Sequence, residues 1–219
     1  MDFIKYKLIH QYRIYFIAGL TMLLSITLLL IRIKLTHSYF YLFLVWNLFL
    51  AVIPFAITRY LCKLKRLNKL ILVFWFGVWL LFLPNAPYLI TDLKHIRLSS
   101  YNRIWLDILV VTSFALNGML LFYLSVTDMK NILKSYFKSR IINAAIPLII
   151  FTCAFGIYLG RVLRYNSWEL LTNPKYLFID IINIALKPFE NKEAWLFIIL
   201  FGCFLNVGFW VFKQFYKKL

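Results

Sequence analysis

The amino-acid sequence predicts an all-α integral membrane protein, and three observations carry that reading. Hydrophobic residues make up 63% of the 219 and charged ones only 15%, a balance foreign to water-soluble globular chains. The apolar residues gather into runs close to the roughly 20 that a helix needs to cross a hydrocarbon layer about 30 Å thick. Lysine and arginine cluster at the edges of those runs.

Six spans are predicted, over residues 14–33, 39–60, 70–83, 105–127, 141–163 and 194–212. The first follows Lys5, Lys7 and Arg13 as a signal peptide would. Its apolar run is too long for one and no small-x-small site follows, so it reads as an uncleaved span. Alternate connections, counted from the N-terminal segment, hold 15 of the Lys and Arg residues and the others hold 10. That bias predicts both termini on the cytoplasmic side. Asp92, Asp107, Glu169, Asp180, Glu190 and Glu193 then fall outside, with Asp2 and Asp128 inside. The formal charge of +17 is spread over short clusters between spans, so the expected partner is the lipid bilayer, anionic lipid included, and no nucleic acid.

The third span carries the most informative stretch, FLPNAPYLITDLKHI over residues 82–96. The fourteen residues before Pro84, Leu70 to Leu83, hold no charge and as a helix rise only about 21 Å. Pro84 and Pro87 donate no backbone hydrogen bond, so a helix broken at Pro84 is expected while still at membrane depth. Protein groups or a wet cavity must then serve the freed carbonyls. Asn85 can cap a new helix with Pro87 in its first turn. Tyr88, Asp92 and His95 recur on one face of it, and Leu89, Leu93 and Ile96 on another, as in a short amphipathic interfacial helix.

The fifth span ends in GIYLGRVLRYNSWELLTNP, residues 156–174. Gly156 and Gly160 form GxxxG, whose ordinary use is close helix packing. Arg161 and Arg164 are spaced as one helical turn, with Trp168 in register if the helix continues, and two guanidinium groups so placed can hold a phosphate or carboxylate. Snorkelling, or pairing with Asp92, Asp107 or Glu169, accounts for the same arginines equally well. Asn166 and Glu169 also fit a capping box.

Residues 176–186 are too short to cross. Asp180, Asn183 and Lys187 share one face there and Phe178, Ile181, Ile182 and Ala185 another, which predicts a second interfacial helix. Asn47, Asn117 and Asn206 lie inside spans and are expected to bond between helices. Pro54 and Pro147 are expected kinks. Cys62, Cys153 and Cys203 show no CxxC spacing and read as small core residues. With no internal repeat and no linker, residues 1–219 read as one transmembrane domain.

The stretches LPNAPYLITDLKH, WNLFLAVIP (46–54), Asp107 with FALNG (114–118), GIYLGRVLRYNSW (156–168) and NP (173–174) together resemble the pattern of a bacterial membrane-protein family called domain of unknown function 1361. The resemblance implies a multi-pass helical fold in a bacterial cell membrane and brings no activity, ligand or cofactor with it.

For function, the residues point to a polar site at the extracytoplasmic boundary. Asn85, Tyr88, Asp92, His95, Arg161, Arg164, Trp168 and Glu169 would bind an anionic or lipid-headgroup ligand there. One alternative is a non-catalytic component of a membrane assembly. Another is a membrane-embedded enzyme acting on an outer-leaflet, lipid-linked substrate, with Asp92 and His95 as acid–base groups. Asp92, His95 and Glu169 are the metal candidates, but two ligands one turn apart are a sparse set and no metal is assigned. No Walker, Rossmann, HExxH or GxSxG pattern occurs, so the sequence names no cofactor.

The charge bias makes a direct prediction. In a background lacking the three native cysteines, single cysteines at Ser100 and Asn173 are expected to react with an impermeant reagent from outside, and one at Ser135 is not. Labelling at Ser135 alone would invert the topology.

Overall fold

A computed structural model describes residues 2–64, 67–98, 103–165, 172 and 174–216. The expectations placed on Ser100, Asn166, Trp168, Glu169 and Asn173 lie outside those residues. The elements are α1 (Asp2–Thr36), a 3-10 turn (Phe40–Leu42), α2 (Phe43–Lys63), α3 (Lys69–Phe82), α4 (Asn85–Thr91), a 3-10 helix (Asp92–Leu98), α5 (Ile104–Lys134), α6 (Ser139–Arg161), α7 (Pro174–Leu186) and α8 (Lys192–Tyr216). Among the described residues there is no strand, and six helical stretches are long and apolar enough to cross a membrane: 12–36, 40–63, 69–97, 104–134, 139–161 and 192–216. The chain is an all-α multi-pass membrane protein, as its hydropathy predicts.

Two compact units divide the chain, one of residues 1–52 and 85–122, the other of residues 53–84 and 123–219. In the first, α1 buries a narrow stripe, Ala18, Ser25, Leu29 and Arg32, while Phe16, Leu20, Leu23, Leu24 and Leu30 stay exposed. Exposed leucines are what a hydrocarbon solvent permits, since lipid tails are as apolar as they are. Asn117 holds that stripe to α5. Its amide nitrogen is 2.8 Å from Ser25 Oγ and 3.1 Å from the Thr21 carbonyl, and its Oδ1 accepts from the Thr21 hydroxyl at 2.7 Å. The next residue, Gly118, lets α4 approach: a Cβ there would press into the Ala86 carbonyl and lie 2.8 Å from Leu89 Cδ1.

The second unit explains the interruption of the third span. The Asn68 side chain caps α3 by accepting from the Leu70 N–H at 3.3 Å. At its far end Leu83 is still in right-handed helical geometry and donates to the Trp79 carbonyl at 2.8 Å. Pro84 then has no N–H to continue with, and α4 starts at Asn85. The expected break is therefore sharp and local. Gly156 receives the Pro84 ring, because a Cβ on that glycine would lie 2.6 Å from Pro84 Cγ. Trp79, fully buried, donates its indole N–H to Ser125 Oγ at 2.8 Å. α6 and α8 pack against each other, with the Phe151 ring seated on Gly202.

Two expectations require correction. The Asn206 amide donates to the Gly202 carbonyl of its own helix at 2.8 Å, which satisfies it without a neighbour. Cys153 is buried, but Cys62 and Cys203 are exposed, because in lipid an apolar side chain gains nothing by leaving the surface. On α7 the buried residues are Leu177 and Ile184, whereas Phe178 and Ile182 are exposed. The helix packs along a one-residue seam and is fixed by the Trp195 indole donating to the Ile184 carbonyl at 2.9 Å.

Gly156→Val is expected to lower thermal stability in detergent, since overfilling a tight contact costs roughly 1–3 kcal/mol. Gly77→Ala, on an exposed face with nothing within 4 Å of the new Cβ, is expected to be neutral or stabilising. Equal melting temperatures for the two variants would show that Pro84 does not rest on Gly156.

Candidate functional site

The first unit gathers its polar side chains where α1 ends, α2 and α5 begin, and the 3-10 helix Asp92–Leu98 follows α4. Asp92 sits at the α-to-3-10 transition with 1% of its surface exposed. Its Oδ2 accepts from the Asn47 amide at 2.9 Å. Burying a carboxylate is costly without such donors, so Asn47, one helical turn into α2, is there for Asp92. His95 lies one turn on, with Nε2 3.9 Å from Asp92 Oδ1 and about a quarter of its side chain exposed. That separation is an electrostatic contact and too long for a hydrogen bond. Edge-to-face rings hold the imidazole, Phe43 at 5.1 Å and Phe40 at 6.0 Å between centroids.

Below His95 the network continues. The Tyr41 hydroxyl donates to the His95 carbonyl at 3.2 Å, and the Tyr41 ring lies 4.6 Å from the Arg32 guanidinium carbon. Arg32 Nε donates to Asp107 Oδ1 at 2.9 Å and its Nη1 to the Ser38 carbonyl at 2.8 Å. Both members of this pair are buried, so each charge depends on the other for solvation. Thus Asp107, open to several partners on sequence, is matched by α1. Arg32 and Tyr41 escaped the sequence reading because Arg32 looks like a flanking positive charge. The one signal was its place opposite Asp107 on the same predicted side.

Of the residues singled out, Asn85 opens α4, Tyr88 is half-buried within it, and Asp92 and His95 meet as described. Leu89 is buried and Leu93 exposed, so the second predicted face is divided between protein and surroundings. Arg161 and Arg164 belong to the second unit. They do not share a helix face: α6 ends at Arg161, and Arg164 stands in left-handed geometry at φ 63°. That turn sends the Tyr165 N–H back to the Leu159 carbonyl at 3.0 Å and the Tyr165 hydroxyl to Asp180 Oδ2 at 2.8 Å. Trp168 and Glu169 lie outside the described residues. Among the described residues no group of three or more His, Cys, Asp or Glu side chains could hold a metal ion.

The second unit has a buried ion pair of its own, Arg59 Nε to Asp128 Oδ2 at 3.0 Å, with the Phe55 ring 5.0 Å from the guanidinium carbon. Neither residue was selected on sequence.

The family described as "Protein of unknown function (DUF1361)" matches residues 46–207. The chain belongs to the DUF1361 family. The matched segment contains Asn47, Arg59, Asp92, His95, Asp107 and Asp128, while Arg32 and Tyr41 precede it. No curated protein and no solved structure matches the chain.

The Arg32–Asp107 pair makes a sharp prediction. Arg32→Met or Asp107→Leu alone strands a buried charge and is expected to cost about 3–5 kcal/mol, whereas the double variant regains most of that loss. Additive losses in a double-variant cycle of unfolding measurements would show that the two charges do not solvate each other.

Proposed function

We propose that this is a protein of the bacterial cytoplasmic membrane with both termini in the cytoplasm, and that its Asp92–Leu98 segment holds the phosphate of a lipid headgroup at the extracytoplasmic boundary. The supporting observation is the Asp92–His95 arrangement. A carboxylate buried behind Asn47 lies beside a partly exposed imidazole, itself flanked by the exposed Lys94 and Arg97. An imidazole and two cations on one short segment suit charge-assisted contacts with a phosphate oxygen. The aromatic rings of Phe40 and Phe43 restrict the direction in which the imidazole points.

Acid–base chemistry on a lipid-linked substrate is the second reading, favoured by the same 3.9 Å approach of His95 to Asp92. It adds a demand for turnover.

The reading is tested by placing a photo-crosslinking amino acid at Ile96 and recovering phospholipid from protein in bilayers of phosphatidylglycerol. His95→Ala is expected to lower the yield about tenfold, the worth of one strong charge-assisted hydrogen bond. An unchanged yield removes the headgroup from this site.

A further inference from the structure

α7 lies between two spanning helices of the second unit, after α6 ends at Arg161 and before α8 begins at Lys192, and so at one face of the membrane. Its 13 residues rise about 20 Å, short of the roughly 30 Å of hydrocarbon. Side chains on a helix step round by about 100° per residue, which divides this one into three arcs. Leu177 and Ile184, two turns apart, are buried against the protein, with Ile181 half-buried between them. Asp180, Asn183 and, just past the helix end, Lys187 lie to one side of that seam. Phe178, Ile179, Ile182 and Leu186 lie to the other, each between 47% and 76% exposed. Spacing alone assigns the apolar face differently: here Ile181 goes to the protein seam, and Ile179 and Leu186 join the exposed flank.

Two contacts fix the roll of the helix about its axis. The Tyr165 hydroxyl donates to Asp180 Oδ2 at 2.8 Å, and the Trp195 indole donates to the Ile184 carbonyl at 2.9 Å. The exposed flank is therefore a built surface, and a contiguous apolar patch of that kind marks a place of interaction.

The surroundings of α7 indicate what covers it. The last carbonyls of a helix have no donor within it, and in a hydrated loop water meets them. Here side chains do so: the Asn191 amide donates to the Lys187 carbonyl at 3.0 Å and to the Asn183 carbonyl at 3.3 Å, while Trp195 serves Ile184. A helix end needs such service where water is scarce. Trp195 also belongs to the first turn of α8, and Leu196, Ile199 and Leu200, which follow it, are left exposed along an apolar span as a lipid-facing surface is. α7 is thus fastened to the span where its lipid contact begins. An apolar flank opposite a polar arc is the pattern of a helix lying in the interface plane.

We infer that α7 is an in-plane membrane helix whose partner is phospholipid, met through the acyl chains. Phe178, Ile179, Ile182 and Leu186 seat at the headgroup boundary of the leaflet where α6 ends and α8 begins, and Asp180, Asn183 and Lys187 face the aqueous side. This surface depends neither on His95 nor on which side of the membrane the termini occupy.

The test is electron paramagnetic resonance of the full chain, lacking its three native cysteines, in vesicles of phosphatidylglycerol and phosphatidylcholine. Nitroxide labels are attached to Phe178→Cys, Ile182→Cys and Leu186→Cys on the flank and to Asn183→Cys and Lys187→Cys on the polar arc. All five positions are exposed, so the substitutions leave the packing in place. Collisions with oxygen, which concentrates among acyl chains, are compared with collisions with a water-soluble nickel chelate. The flank is expected to favour oxygen and the polar arc nickel, with the preference reversing between the neighbours Ile182 and Asn183. Nickel preference at all five positions would place the helix in water and overturn the inference. Weak collision with both reagents along the flank would show that protein covers it, a second copy included, and would overturn the lipid partner. Oxygen preference at all five would submerge the polar arc and overturn the in-plane seating.

Discussion

Hydrocarbon offers no hydrogen bonds, so every polar group a span carries inward must find its partner in protein. That single constraint organises both units. In the first, Asn117 finds Thr21 and Ser25, and Asp107 finds Arg32. In the second, Trp79 finds Ser125, and Asp128 lies against Arg59. α5 supplies one side of each of these contacts, and its apolar neighbours Val110, Val111, Phe114, Leu121, Phe122 and Val126 are almost wholly buried. The helix richest in buried polar side chains is also the most buried of the six spanning stretches, with Trp105, Ile108, Leu109 and Leu116 left exposed. The two facts have one cause.

Aromatic rings repeatedly take the place that water would fill around a charge. Arg32 lies over Tyr41 and Arg59 over Phe55, so each guanidinium meets a carboxylate on one side and a ring face on another. Arginine suits that double contact because its charge is planar and weakly hydrated. Lysine at either position would keep the charge and lose the fit. The heavy use of phenylalanine and tyrosine in this sequence thus serves electrostatics as well as lipid contact.

Much of the fold was legible. Run length gave the spans, and Pro84 marked an interruption that the structure places one residue before α4. Asn117 next to Gly118 signalled a close crossing, because a small residue beside a mid-span amide has little other use. Burial was less legible. Where the solvent is oily, hydropathy no longer separates inside from outside, which is why Cys62 and Cys203 were misplaced while Cys153 was not. Long-range partners were hidden for a different reason: Arg32 and Asp107 are 75 residues apart, and nothing local to either names the other. The pairing of Arg161 with Arg164 failed because the chain turns left-handed at an arginine, where no glycine or asparagine gives warning.

The Pro84–Gly156 contact also bears on how the protein is made. Pro84 leaves the ribosome 72 residues ahead of the glycine that will receive it. At roughly 5–20 residues per second, the growing chain spends about 4–14 seconds with α3 inserted and its proline unsupported. Over that interval the Pro84 ring lacks the glycine surface it packs against in the finished chain. A chain stalled or truncated before Gly156 leaves the Pro84 ring uncovered, so the packing of the third span waits on the completion of α6.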